Sequence, residues 1–229
     1  MMRAVLHVLS DRQRAAGSLL HVLAETVAGG ADIVQIRDKR APAAELFALC
    51  TAVGERVERG RRSARVFVND RLDIALAANL AGVHLAARSL PVAAARSVRQ
   101  RAGWNGLIGV SVHSVEEAVA AAAQGADYVT YGHIYASESH RGEPPRGVRA
   151  LARVVEAVAV PVVAIGGVDA SNIDAVLETG CAGVAVIGAV LAAADPRGAT
   201  EKLRAALERA RVRPHCAFPN EEEKNGQSL

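Results

Sequence analysis

The amino-acid sequence predicts an α/β protein that folds as a single (β/α)8 TIM barrel. Short β-branched segments alternate along the chain with alanine-rich segments of helical periodicity, as expected for parallel strands joined by helices. The length of 229 residues is close to the roughly 250 typical of one such barrel. We place the barrel at residues 1–211 and expect a mobile polar tail at 212–229, where apolar periodicity is lacking.

Eight segments have the length and composition of buried parallel strands. A weak internal repeat supports this number, because residues 30–34, 125–129 and 180–184 each carry a glycine that ends a helix and leads directly into a strand. Hydrophobic residues make up 51% of the chain and aromatic residues only 3%, so the core should consist of branched aliphatic side chains and alanine. The predicted strands are 4–9, 33–37, 66–69, 82–85, 107–111, 128–132, 162–165 and 183–187.

Charge and cysteine content argue against several classes of function. The formal net charge is +3, and the arginines are spread along the helices without clustered aromatic residues, so no nucleic-acid partner is predicted. Three cysteines without C-x-x-C spacing, Cys50, Cys181 and Cys216, predict free thiols in a reducing compartment. No apolar stretch reaches about 18 residues and no leader precedes the first strand, so we expect a cytoplasmic protein without a membrane partner. The sequence leaves homo-oligomer formation open.

Glycines follow the last two predicted strands. Gly166 and Gly167 come directly after strand seven, while Ile187 and Gly188 end strand eight. Glycine lets backbone N–H groups approach a ligand, and helices predicted to begin at Ser171 and Gly188 would direct positive dipole ends toward an anion. The loops after strands seven and eight are a frequent phosphate site in this fold, so we predict phosphate binding at 166–167 and 187–188. The alternative is that these glycines only form tight turns.

Polar residues lie at the carboxyl ends of three other strands, where this fold places its active sites. Gln35 and Arg37 should share one face of strand two, with Lys39 just beyond them, and a guanidinium in a barrel mouth requires an anion or a carboxylate. Asn69 ends strand three and Ser111 ends strand five. All five are predicted to bind substrate, although Asn69 and Ser111 could instead cap the helices that follow.

The segment 133–147 after strand six is the longest irregular stretch with polar groups, and its length favours a substrate lid. His133 begins it beside the predicted phosphate site. An imidazole titrates near neutral pH, so His133 is the candidate catalytic acid or base. A structural role for His133 is the alternative, and His84, inside strand four, is expected to be a hydrogen-bonded interior histidine.

Six ordered motifs resemble the thiamine phosphate synthase/TenI superfamily, over nearly the whole chain to about Pro196. That resemblance implies a (β/α)8 barrel that acts on phosphorylated thiamine precursors. The motifs are QIRDK at 35–39, VNDRLDIA at 68–75, GVHL at 82–85, GVSVHS at 109–114, GADYV at 125–129 and AIGGV at 164–168.

The synthase branch of this superfamily implies a transferase that couples hydroxymethylpyrimidine diphosphate to thiazole phosphate, with Mg²⁺ held by two aspartates. Asp70 matches the first aspartate, but residues 86–89 read AARS where the second is expected. His140 stands where the family has a lysine, while Ser137 and Ser139 keep the expected hydroxyls and are predicted to bind substrate. Because one carboxylate is a poor Mg²⁺ site, we expect no metal cofactor, with Asp70 as a metal ligand only in a synthase.

The TenI branch implies a thiazole tautomerase, an isomerase that aromatises a thiazole carboxylate phosphate without a metal. Gly132-His133 and Arg146-Gly147-Val148 resemble this branch. Our main prediction is therefore a thiazole tautomerase with His133 as acid/base, a small phosphorylated thiazole as substrate, Arg37 or Lys39 on its carboxylate and Arg146 in the binding site. Thiamine phosphate synthase is the alternative enzyme. A non-catalytic TenI-type regulatory protein that binds a ligand is the alternative of another class.

Overall fold

The barrel predicted from the sequence is present in the computed structural model, which describes residues 3–60, 64–86, 88–210 and 213–219. Adjacent strands pair in parallel in chain order, and β8 pairs with β1 to close the barrel. Each connection between successive strands contains a helix, as is usual for parallel strands. The strands are β1 Val5–Leu9, β2 Ile33–Ile36, β3 Arg65–Asn69, β4 Gly82–Leu85, β5 Leu107–Val112, β6 Tyr128–Gly132, β7 Val162–Ile165 and β8 Gly183–Val186.

Each observed strand overlaps its predicted segment, and the differences are one residue at an end. Arg37 lies just beyond β2 because its backbone N–H donates to the Ser10 hydroxyl at 2.7 Å instead of continuing the ladder. Ile187 likewise lies outside β8, where it precedes a short helix. Both residues therefore belong to the loops at the carboxyl end of the barrel.

The helices surround the strands, and the main core lies between the two layers. It consists largely of aliphatic side chains, including fully buried Val34 and Val83 on the outer face of the barrel. The helices are α1 Leu19–Ala28, α2 Ala43–Glu58, α3 Leu72–Ala77, α4 Val92–Arg101, α5 Val115–Ala123, α6 Gly147–Ala157, α7 Ile173–Leu177, α8 Gly188–Leu191 and α9 Pro196–Arg209, with a 3-10 turn at Glu138–His140.

A second cluster fills the amino-terminal half of the barrel interior with aromatic rings. Tyr128 lies 6.0 Å from Phe67 and 4.9 Å from Phe218 between ring centroids, and His7 lies 6.2 Å from Tyr128. Phe218 comes from the predicted polar tail, and it is only 4% exposed. One aromatic side chain from the segment predicted to be mobile therefore fills this end of the barrel, and the mobility of the tail stays a prediction. Residues 212 and 220–229 of that prediction lie outside the described residues.

The described cysteines are free thiols. Cys50 and Cys181 are buried and Cys216 is partly buried. Burial raises the pKa of the Cys50 thiol to about 12. The described helices include none that is long and apolar enough to cross a membrane.

Candidate active site

A cavity of about 830 Å³ opens at the carboxyl ends of the barrel strands. Its wall is formed by the loops that follow β1 to β8 together with the last residues of several strands. This is the end of the barrel where the fold places its active sites. Predicted site residues in the cavity wall are Gln35, Arg37, Lys39, Asn69, Ser111, His133, Ser137, Ser139, Gly166, Gly167, Ile187 and Gly188.

A series of side-chain hydrogen bonds between amide and carboxylate groups runs from β2 to the loop after β3. The Gln35 side-chain amide donates to Asn69 Oδ1 at 2.8 Å, and the Asn69 amide donates to Asp70 Oδ2 at 2.7 Å. Gln35 is fully buried, and a hydrogen bond with its side chain raises the pKa of the buried His7, against the larger effect of burial. The Gln35 side chain is therefore shared between His7 inside the barrel and Asn69 at the cavity.

Asp70 has a backbone conformation that suits a binding loop. Its φ of 63° lies in the left-handed region, which aspartate and asparagine tolerate better than other non-glycine residues. Oδ1 accepts hydrogen bonds from the Ala86 N–H at 3.1 Å and from the Ser89 hydroxyl. Helix α3 has Arg71 at its N-cap position without a side-chain cap, so the capping alternative for residues 69 and 70 is not observed.

His84 is the centre of a buried hydrogen-bond group at the base of the cavity. Its Nδ1 lies 2.9 Å from the Tyr128 hydroxyl, and its Nε2 lies 2.9 Å from Ser111 Oγ and 3.3 Å from Thr130 Oγ1. Burial lowers the pKa of His84 to about 4, against a smaller opposing effect of the Asp70 charge. Ser111 thus orients a neutral imidazole, and Ser114 caps the next helix instead.

Cationic side chains surround the opening on the β1 and β2 side. Arg37 and Lys39 line the cavity, with Arg37 Nη1 3.9 Å from Asp11 Oδ2. Arg14 also lines it and donates to Ser139 Oγ at 3.3 Å, while Arg88 contributes from the loop after β4. Sequence reasoning missed Arg14 and Arg88 as site residues, although the charged segment directly after strand one was a usable signal for Arg14.

The turn after β7 requires glycine at two successive positions. Gly166 and Gly167 have φ values of 99° and 66°. A Cβ on Gly166 would lie 2.3 Å from His133 Cβ, and one on Gly167 would lie 2.5 Å from the Ala136 carbonyl oxygen. Backbone from the loop after β6 therefore packs against this turn, so part of its glycine requirement is structural.

Gly188 differs, because an added Cβ would meet Arg14 Nη1 at 3.5 Å, an ordinary van der Waals distance. It is the first residue of the short helix α8, as predicted, whereas α7 begins at Ile173, two residues after the predicted Ser171. The two turns face one cavity, and of the two only the turn after β8 coincides with the start of a helix.

The loop after β6 folds back on its own start. The N–H groups of Arg146 and Gly147 donate to the carbonyl oxygens of His133 and Ile134 at 2.9 and 3.1 Å. His133 is 3% exposed, its Nε2 lies 3.3 Å from the Glu143 carbonyl oxygen, and its ring stacks on that of His140. Arg146 is the one predicted site residue outside the described cavity wall, because its Nε donates to the Gly132 carbonyl oxygen at 2.8 Å.

Comparison with protein families matches residues 6–190 to the model described as thiamine monophosphate synthase. A thiamine-phosphate synthase of Methanospirillum hungatei JF-1 is 42% identical over 199 residues, covering 86% of this chain and 94% of that protein. A thiamine-phosphate synthase of Anaeromyxobacter dehalogenans is 45% identical over 187 residues, covering 81% and 82%.

A solved structure extends this similarity to the backbone. The thiamine phosphate pyrophosphorylase of Pyrococcus furiosus superposes with a TM-score of 0.82 and 36% identity, over 91% of this chain and 97% of that one. The resemblance inferred from the six motifs is therefore confirmed at the level of the superfamily.

The prediction of a thiazole tautomerase, and with it that of an isomerase, is wrong. Relatives that match most of the barrel are named thiamine-phosphate synthase, which was the alternative. The prediction rested on the absence of a second aspartate at 86–89, on Gly132-His133 and on Arg146-Gly147-Val148. In the structure, His133 and Arg146 each contact a backbone carbonyl oxygen of this region, those of Glu143 and Gly132. Motif similarity alone did not reveal these local contacts.

Proposed function

The chain belongs to the thiamine monophosphate synthase family, and we propose that it is a thiamine-phosphate synthase. The reaction joins hydroxymethylpyrimidine diphosphate to thiazole phosphate and releases pyrophosphate. The observation that carries this proposal is the similarity to synthases along the barrel. The cavity supports it, because arginine and lysine side chains line one side and two glycine turns line the other.

Thiazole phosphate binds through its phosphate to the turns after β7 and β8. Backbone N–H groups at Gly167 and Gly188 supply neutral donors, and the start of α8 adds the positive end of a short helix. Arg14 is close to Gly188 and provides a charge at the same edge. Hydroxyl groups of Ser137 and Ser139 lie in the same wall.

The pyrimidine diphosphate binds on the opposite side, between β2 and the loop after β4. Arg37, Lys39 and Arg88 supply positive charge for a diphosphate. Below them, the amides of Gln35 and Asn69 present donors and acceptors that suit the ring nitrogens and amino group of a pyrimidine.

Asp70 offers an oxygen ligand of the kind that Mg²⁺ uses. Three of the roughly four acceptor positions of its carboxylate are taken by the Asn69 amide, the Ala86 N–H and the Ser89 hydroxyl. The lack of a second carboxylate at 86–89 led to the expectation of no metal, but Mg²⁺ is commonly held by one or two carboxylates plus substrate phosphates. The remaining position of Asp70 therefore suits Mg²⁺ that arrives with the diphosphate. Bound Mg²⁺ would neutralise charge on the leaving diphosphate.

The bond change needs positioning more than proton transfer. The thiazole nitrogen gives its lone pair to the methylene carbon of the pyrimidine, the carbon–oxygen bond breaks, and its electron pair leaves with pyrophosphate. No proton has to be added or removed in that step. The residues of this chain therefore act by holding the two substrates in line, excluding water and stabilising the departing charge.

The proposal is tested by incubating the purified chain with hydroxymethylpyrimidine diphosphate, thiazole phosphate and Mg²⁺. We expect thiamine phosphate and pyrophosphate in equal amounts, with EDTA abolishing both. An Asp70→Asn preparation purified in parallel excludes a contaminating synthase. A well-folded protein that binds thiazole phosphate but forms neither product would refute the enzyme assignment and support the non-catalytic alternative.

A further inference from the structure

We propose that His133, His140 and Glu143 form a binding site for a divalent transition metal of the zinc class, at the rim of the cavity. One potential ligand atom from each of the three side chains lies within 4.8 Å of the other two. The site lies in the loop after β6 and does not include Asp70, the proposed Mg²⁺ ligand. It is separate from the proposed reaction, so metal binding is measured without either substrate.

The spacing of the three side chains is close to what a metal ion requires. His140 Nδ1 and a Glu143 carboxylate oxygen are 3.4 Å apart. Two ligands each about 2.0–2.1 Å from a tetrahedral zinc are roughly 3.3–3.4 Å apart, so this pair already has the spacing of one edge. The His133 and His140 rings are stacked and nearly parallel, with centroids 4.6 Å apart, so their in-plane lone pairs do not converge without a rotation. Binding of one ion by all three residues therefore requires the more exposed His140 ring to turn, with Glu143 following it.

Backbone contacts hold the three ligands in place before any metal arrives. His133 is buried at the end of β6, and its carbonyl oxygen accepts from the Arg146 N–H at 2.9 Å. The His140 N–H donates to the Ser137 carbonyl oxygen at 3.0 Å, and the Glu143 N–H donates to the His140 carbonyl oxygen at 3.3 Å. This turn brings Glu143 close to His140. A metal would therefore join both side chains to His133 and close the loop 133–143.

The donor chemistry favours a zinc-class ion over magnesium. Two imidazoles and one carboxylate are a common donor set for zinc, whereas Mg²⁺ prefers oxygen ligands in octahedral geometry. Three protein ligands leave a fourth position, and His133 and His140 both line the cavity. That position would hold water or an anionic oxygen of a ligand. The nearby Arg141 charge is offset by its ion pair with Glu138.

The test uses the metal-free full-length protein with Zn²⁺ by calorimetry and Co²⁺ by visible absorption. We expect one equivalent to bind and raise the Tm, with excess Mg²⁺ unable to displace it. His140→Ala should weaken binding at least about 100-fold and Glu143→Gln about 10-fold, because each removes a ligand. Both residues are partly exposed, so these variants should fold. The matched control is His21→Ala, an exposed histidine on α1.

Three outcomes overturn the proposal. The first is no binding by the wild-type protein above the level expected for surface histidines. The second is equal affinity in wild type and His140→Ala. The third is a sulfur-to-cobalt charge-transfer band, which would assign the metal to Cys216 or another thiol. Loss of binding in His140→Ala and Glu143→Gln, with unchanged Tm in the absence of metal and normal binding by His21→Ala, supports it.

Discussion

The two sides of the cavity are built from different parts of the chain. On the β2 to β5 side, side chains such as Gln35, Asn69 and Asp70 form a connected hydrogen-bond group. On the β7 to β8 side, glycines bring the backbone itself to the cavity surface. A side-chain wall can be tuned by single substitutions and by pH, whereas a backbone wall changes only when a side chain is added to it.

The largest effect is expected on the side-chain wall, from Asp70→Asn. Asparagine tolerates the left-handed φ of 63°, so the fold should persist while the negative charge is lost. We expect kcat/KM for coupling to fall roughly 10²- to 10³-fold, as for loss of one charge-stabilising group. Steady-state kinetics with saturating Mg²⁺ measure this. Asp73→Asn, an exposed aspartate paired with Arg71, is the control and should stay near wild type.

The second prediction concerns pH and His84. Its pKa of about 4 in the folded state lies below that of about 6.5 in an unfolded chain, so the unfolded state takes up the proton first. The contribution of this group to the free energy of unfolding is fully present well above pH 6.5. It falls as the pH decreases toward 4, by up to about 1.4 kcal/mol per pH unit. Burial also lowers the pKa of His7, so that residue adds a change of the same sign.

Urea unfolding of wild type and His84→Gln at pH 7.5 and pH 5 checks this. Over that interval the free energy of unfolding of wild type should fall by about 2 kcal/mol more than that of the variant, roughly a 30-fold difference in the unfolding constant. His21→Gln should behave as wild type. An identical pH dependence in His84→Gln would show that the buried imidazole is not the cause.

A smaller effect is expected on the backbone wall, from Gly188→Ala. The added Cβ has room in the protein, since its neighbour is Arg14 Nη1 at 3.5 Å, but it would occupy space next to the phosphate. We expect KM for thiazole phosphate to rise about 10-fold with little change in kcat, because phosphate contacts are uniform binding. Gly54→Ala, which has open space within helix α2, is the control. An unchanged KM would remove Gly188 from the phosphate site.

The smallest effect is expected from Ser89→Asp, which places a second carboxylate beside Asp70. Two close carboxylates repel unless a cation lies between them, so the variant should have a lower Tm without Mg²⁺ and recover it with Mg²⁺. The Mg²⁺ concentration for half-maximal coupling should fall about 3-fold. Thermal melting across a Mg²⁺ series measures the first effect, and a Tm independent of Mg²⁺ would contradict it.

The backbone wall was easier to predict from sequence than the side-chain wall. Strand ends and paired glycines are local signals, so Gly166, Gly167 and Gly188 could be placed in advance. The contact between Ser89 and Asp70 joins loops from neighbouring strands, and no spacing rule reveals it. Arg14 is brought to Ser139 across 125 positions, and Phe218 packs on Tyr128 at the far end of the barrel. Such contacts join residues that are far apart in the sequence, and they form only when the barrel closes.

Function was harder to predict than fold for a related reason. Two features of one loop, Gly132-His133 and Arg146-Gly147, favoured an isomerase, as did the missing second aspartate at 86–89. Similarity along the barrel favours a synthase instead. A few local matches in a loop say less about the reaction than the full set of residues around the cavity, because the loop's own backbone contacts can account for them.

The most direct test of the two-sided cavity is a crystal structure with thiazole phosphate, pyrophosphate and Mg²⁺ bound together. We expect phosphate oxygens about 3 Å from the N–H groups of Gly167 and Gly188. Pyrophosphate and Mg²⁺ should lie on the opposite side, at Asp70 and Arg37. A thiazole phosphate group bound at Asp70 and Arg37, with pyrophosphate at the glycine turns, would contradict this assignment of the two walls.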